Sequence, residues 1–218
     1  MDTLSPIEAR ILGVLAEKQR TVPDTYPLSL NALVAGCNQK TSRHPVMDVT
    51  EAEAQAALDE LRSHTLVIES SGGRVSRYAH NIERVLRIPS QSVAILATLM
   101  LRGPQTAGEL RINSERLHAF ADISSVEGFL EELRDRPAGA LVVELPRQPG
   151  SREKRWMHLL SGEPMTDATI YPEMAVRGGD SRENIVELKA EIQRLSDEVA
   201  ELRGLVDTLC RQIGVVRE

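Results

Sequence analysis

Apolar residues along the chain follow two different spacings, and the switches between them mark out elements. Ile7, Ile11, Leu12 and Leu15 recur three and four apart behind Ser5-Pro6-Ile7-Glu8. Ser5 can accept the first free backbone N–H groups while Glu8 reaches back, and Pro6 suits the first helical position. Residues 30–36 carry a second, shorter helical pattern. A third begins at Asp48-Val49-Thr50-Glu51-Ala52-Glu53, again a capping box, and runs through Leu58-Asp59-Glu60-Leu61-Arg62. The period then changes. Leu66-Val67-Ile68-Glu69 and Arg77-Tyr78-Ala79-His80 read as strands turning at Ser71, Gly72 and Gly73.

The same order returns further on. Residues 92–101 place Val93, Leu96, Leu99 and Met100 on one face and break at Gly103-Pro104, and Thr106 with Glu109 boxes a short helix over 106–111. Asp122-Ile123-Ser124-Ser125-Val126-Glu127 matches the start of the third pattern, with Ser124 at the place of Thr50. Leu130-Glu131-Glu132-Leu133-Arg134, Leu141-Val142-Val143-Glu144 and Arg155-Trp156-Met157-His158 complete the correspondence, at offsets drifting from 74 to 72 to 78. Four matches in order point to a duplication. Helix, helix, helix, strand, turn, strand is the order of a winged helix, a helix-turn-helix core with an added hairpin. The second hairpin turn, residues 146–151, is the longer. The fold class expected is therefore mainly α with small β wings (α+β). Two tandem winged-helix domains occupy residues 1–88 and 89–162, with residues 81–89 as the link between them.

A linker over 163–180 leads into a different pattern. Ile185, Leu188, Ile192, Leu195, Val199, Leu202, Val206, Leu209, Ile213 and Val216 alternate spacings of three and four. The first position of each heptad is β-branched and the fourth is Leu until the last, the preference of a parallel two-stranded coil. Glu198 and Arg203 stand where an interchain pair forms. A helix over 181–217, with a seam of roughly 30 residues reaching about 45 Å, is expected to make the chain a homodimer. The competing reading is a single amphipathic helix docked on its own chain.

Composition narrows the picture modestly. The chain has 218 residues, of which 41% are apolar and only 3% aromatic, so its core rests on Leu, Val, Ile and Ala. No run of about 18 apolar residues occurs and the first residues lack a signal-peptide pattern, so no membrane association is expected. Cys37 and Cys210 fit no metal or redox spacing, which suits a cytoplasmic setting. The net charge of −6 sits in the tail: residues 1–88 carry 10 cations against 11 anions, 89–160 carry 9 against 9, and 161–218 carry 7 against 12. Overall charge thus decides nothing about a polyanionic partner.

Several stretches are specific enough to resemble a known family. "YPLSLNALVAGCNQKTSRHPVMD", "RYAHN", "RGPQTAGELR", "RLHAFAD" and "SREKRWMHLL" are similar to the YceH-like proteins of bacteria, over roughly residues 3–162. The resemblance implies two tandem winged-helix domains and no particular activity.

Candidate chemistry is sparse. His44, His64, His80, His118 and His158 stand at no metal-ligand spacing, and there is no nucleophile elbow, phosphate loop or paired-cysteine motif. No enzymatic activity, cofactor or metal is expected, and Cys37 reads as a small core residue. For DNA, the third helix of each half is the wrong sign: Glu51, Glu53, Asp59 and Glu60 face Arg62, and Glu127, Glu131, Glu132 and Asp135 face Arg134 and Arg136. The cations lie in the connecting loop, at Lys40 and Arg43, and in the wings, at Arg74, Arg77, Arg147, Arg152, Lys154 and Arg155. These eight are the candidate contacts of a DNA-binding, regulator-like protein that grips backbone through its wings. The alternative is an adaptor that binds another protein, as tandem winged helices do in chromosome-partition complexes.

Overall fold

The structure, a computed structural model, describes residues 3–70, 75–147 and 153–163, and Arg194 beyond them. The chain divides into two compact units, Met1–Pro164 and Met165–Glu218. Apart from Arg194, the described residues belong to the first. The heptad seam over 185–216, Arg74, Arg152 and both hairpin tips lie outside the described residues.

Local signals produce the helices. α1 (Pro6–Thr21) starts on the Ser5/Glu8 capping box, with both reciprocal hydrogen bonds made. A 3-10 turn (Pro23–Thr25) and a two-residue strand, β1 (Leu28–Ser29), lead into α2 (Leu30–Cys37), capped by Ser29. α3 (Glu51–Ser63) begins on the Thr50/Glu53 box. β2 (Val67–Ser70) and β3 (Arg77–His80) follow, and then a short helix, α4 (Ile82–Leu86). The second half supplies α5 (Ser90–Arg102), α6 (Ala107–Asn113) on its Thr106/Glu109 box, and α7 (Ile123–Arg134). β4 (Val142–Glu144) and β5 (Trp156–His158) close it. No helix among the described residues is long and apolar enough to cross a membrane.

Each half pairs its strands antiparallel. β3 lies between β1 and β2, placing Tyr78 opposite Leu28 and Glu69, and His80 opposite Val67. β4 and β5 pair with His158 opposite Val142. Gln105 bridges Trp156 from the other side, with N–H···O bonds of 3.1 and 2.7 Å exchanged in both directions. It occupies the place β1 has in the first half, reduced to one residue.

Two expectations need correction, and one strand, β1, was not anticipated. Residues 81–89 are not a plain link: α4 forms there and buries Ile82, Leu86 and Ile88. β1 carries too short an apolar run to register as a strand. In α7 the cap is Asp122, which accepts the Ser125 N–H at 2.7 Å, not Ser124. Thr50 and Asp122 therefore correspond, and so do Ala54 and Val126, Leu58 and Leu130, and Leu61 and Leu133, all buried. A single offset of 72 holds through the whole helix. An Asp is as good a cap acceptor there as a Ser or Thr.

One hydrophobic core runs through both halves. α1 makes its most extensive packing against α5, in which Ser92 to Leu101 are all buried. Gly13 allows this approach: a Cβ there would meet Leu101 Cγ at 3.0 Å and Met100 Cβ at 3.2 Å. Leu4 N–H donates to Leu160 O at 2.7 Å, tying the start of the first half to the end of the second, and His44 N–H to Leu101 O at 2.8 Å, tying the α2–α3 connection to α5.

Candidate functional site

The third helices present acidic faces by construction. α3 turns Ala54, Ala57, Leu58 and Leu61 into the core, which leaves Glu51, Glu53, Asp59 and Glu60 exposed. α7 buries Val126, Leu130 and Leu133 and exposes Glu127, Glu131, Glu132 and Asp135. Their few cations are engaged on the spot. Arg62 pairs with Asp59 at 3.1 Å and with Glu69 at 3.0 Å, and Arg134 with Asp135 at 2.7 Å. Hydrogen bonds from Thr50 lower the Glu53 carboxyl and those from Ser125 lower Asp122, so both caps stay charged. Beside the α7 face, Ile112 and Ile123 remain 70% and 47% exposed. A cleft of about 400 Å³ opens at Ile123, walled by Trp156, by Glu127, Glu131 and Glu144, and by the cations Arg134, Arg147 and Lys154.

The candidate cations divide three ways. Lys40 and Arg147 are exposed on the surface. Arg77 is exposed but donates to the carbonyls of Thr25 and Pro27, at 3.3 and 2.8 Å. Lys154 pairs with Glu144 across the hairpin at 2.8 Å. Arg155 donates to Pro104 O at 2.7 Å and pairs with Glu109 at 3.0 Å. Arg43 is removed altogether, because its side chain has no exposed surface. Its guanidinium forks onto Glu17 at 2.6 and 3.1 Å and also donates to Gly36 O and Gln39 Oε1. Burial pushes Glu17 up, but the hydrogen bonds and charge of Arg43, helped by Lys18, outweigh it and hold the carboxyl below its ordinary range.

Around Arg43 the connection between α2 and α3 is a built structure. Arg10 crosses from α1 to donate to Cys37 O at 3.0 Å and Pro45 O at 2.6 Å. Asn38 clasps the backbone of Val49, donating to its carbonyl at 2.9 Å and accepting its N–H at 2.7 Å. Arg102 of α5 donates to Ser42 Oγ at 2.7 Å. Sequence reasoning missed Arg10 and Glu17. The available signal was Arg10 beside Ile11 on the apolar face of α1, where a cation requires buried acceptors.

Three other titratable groups, Cys37, His80 and His158, are buried. Cys37 is fully buried, and burial pushes its thiol up to about 11 against the opposing charges of Arg10 and Arg43. Burial, aided by Arg20, lowers His80 to about 4. Its Nδ1 accepts the Ile82 N–H at 3.4 Å, so Nε2 carries the proton and donates to Gln19 Oε1 at 2.8 Å. Burial likewise lowers His158 to about 4, and its Nδ1 has no hydrogen-bond partner among the described residues.

These features define a protein of helical, small-sheet architecture whose surface chemistry is ionic, and comparison with known sequences supplies its family. Residues 4–151 match the family described as "Protein of unknown function, DUF480", and the chain belongs to it. It is similar to a UPF0502 protein from Dechloromonas aromatica (63% identical over 203 residues, 93% of this chain and 94% of that one). UPF0502 proteins of Burkholderia orbicola and Cupriavidus taiwanensis are 60% and 57% identical, over 97% of this chain and 90% and 88% of theirs. The resemblance drawn from the sequence motifs is borne out at the level of the family.

Proposed function

We propose that residues 1–162 are two tandem winged-helix modules acting as a non-enzymatic adaptor that docks another protein. The repeated order of three helices and an antiparallel strand pair supports the fold reading. One observation carries the functional one: eight exposed carboxylates line α3 and α7, while Arg43, Arg77, Lys154 and Arg155 are occupied by acceptors of this chain. A helix placed in the major groove sets its surface against phosphates, and carboxylates there are repelled. A partner segment bearing Lys or Arg beside an apolar side chain matches α7, where Glu127 and Glu131 flank the cleft at Ile123. Cross-linking of the full chain to a co-purifying partner tests this. Cross-links should fall on α7 and be lost with Glu127→Gln, Glu131→Gln and Glu132→Gln in a protein of unchanged circular dichroism.

The exposure of Lys40 and Arg147 favours a second reading, duplex backbone gripped by the wings. Titration with random duplex at about 50 mM salt, where backbone contacts are strong, separates the two. No saturable binding is expected. Salt-dependent binding lost with Arg152→Ala, Lys154→Ala and Arg155→Ala would instead establish the DNA reading. For the tail, the heptads over 185–216 support a homodimer. Light scattering should give twice the chain mass for the whole protein and a single chain mass after truncation at Gly179.

A further inference from the structure

Four of the clefts on the described residues carry a carboxylate in their walls: Glu127 in one, Glu17, Glu83 and Glu109 in the others. A fifth, of about 580 Å³, has none. It lies where the two halves meet, between the ends of α3 and α4 on one side and the segment joining α7 to β4 on the other. Its floor is apolar, formed by Leu86, Leu141 and Leu160, each buried. Its rim carries two cations, Arg87 and Arg136, with His64 beside them.

The geometry points to a binding site for a small amphipathic organic anion, its carboxylate or phosphate held by Arg87 and its apolar body on the leucine floor. Volume and lining fall in the range of small-molecule sites, which also favour the junctions between structural lobes. The wall formed by Ala138, Gly139 and Ala140 leaves the space open, and a Cβ added at Gly139 would meet nothing within 4 Å. Arg136 is partly committed, donating to Leu86 O and to Gly139 O. It neutralises the carbonyl end of α4, where a helix dipole is negative. Arg87 has a different status. It is exposed and held in the left-handed region at φ 52° as the C-cap of α4, next to the carbonyl that Arg136 holds. A cation kept there in a chain of net charge −6 has the exposure to reach an incoming anion, with charge-assisted hydrogen bonds of useful strength. A ligand so seated touches both halves, and its occupancy would report on their junction. This site is independent of the docking face on α7.

The test uses the full chain and octanoate as probe, followed by amide NMR shifts and calorimetry, with octylamine and inorganic phosphate as comparisons. Saturable octanoate binding is expected, with shifts at residues 86–88 and 138–141. Arg87→Ala should weaken it by roughly tenfold, the loss of one charge-assisted contact. Ala140→Phe, which fills the cleft and leaves every charge in place, should abolish it. Equal binding of octylamine would overturn the proposal by reducing the cleft to apolar adhesion. Phosphate binding as tightly as octanoate would overturn it by making the leucine floor irrelevant, and so would an Arg87→Ala affinity equal to wild type.

Discussion

Arg43 holds Glu17 at 2.6 Å with no surface exposed, and Lys40, three residues earlier, stands in solvent. Removing one member of a buried pair leaves the other charge uncompensated, at a cost of about 3 kcal/mol. Arg43→Ala should therefore lower the urea midpoint markedly, and Arg43→Met with Glu17→Met should recover much of the loss. Lys40→Ala should stay within about 0.5 kcal/mol of wild type. The buried histidines give a pH signature. His80 and His158 sit at about 4 in the folded chain, against an ordinary value near 6.5. Between those values the unfolded chain binds more protons, so stability is present above pH 6.5 and falls as pH drops toward 4. Each histidine contributes up to about 3 kcal/mol of that loss. Urea titrations at pH 7 and pH 5 should show the decline, and His158→Phe should roughly halve it; an undiminished slope would exclude His158 as a cause.

Among the elements, α7 and α1 make the sharpest statements. Asp122 caps α7 and Ser124 does not, so Asp122→Ala should cost about 1 kcal/mol while Ser124→Ala costs little. Thermal unfolding of the two variants ranks them directly. In α1, Gly13→Val would drive two methyl groups into Leu101 and Met100, where even a Cβ is crowded. Overpacking of this kind costs roughly 2 kcal/mol or more, and the melting temperature should fall accordingly. Elements of this type were largely legible beforehand: Ser5/Glu8, Thr50/Glu53 and Thr106/Glu109 are local signals, and each starts its helix as read. β1 and α4 were not legible, since two and five residues carry no measurable period and their existence depends on partners far along the chain. Arg43 fails for the same reason. Its surroundings in sequence are polar, and only α1, folded across it, makes it a core residue.

Across the whole unit, the two halves follow a similar order of elements and pack on one core. The repeat was visible in sequence as four matched motifs, and the shared core was not, because no local pattern says which apolar stripe meets which. The α1–α5 contact, the His44-to-Leu101 hydrogen bond and the Arg102 grip on Ser42 all cross the boundary. Residues 1–88 expressed alone should accordingly lack a cooperative unfolding transition and bind a hydrophobic dye, whereas residues 1–164 should unfold cooperatively. Gly13 gives this a practical meaning. With α1 fitted by a glycine against Leu101 and Met100 of α5, a cut at the midpoint of the unit would strip each half of part of its own interior.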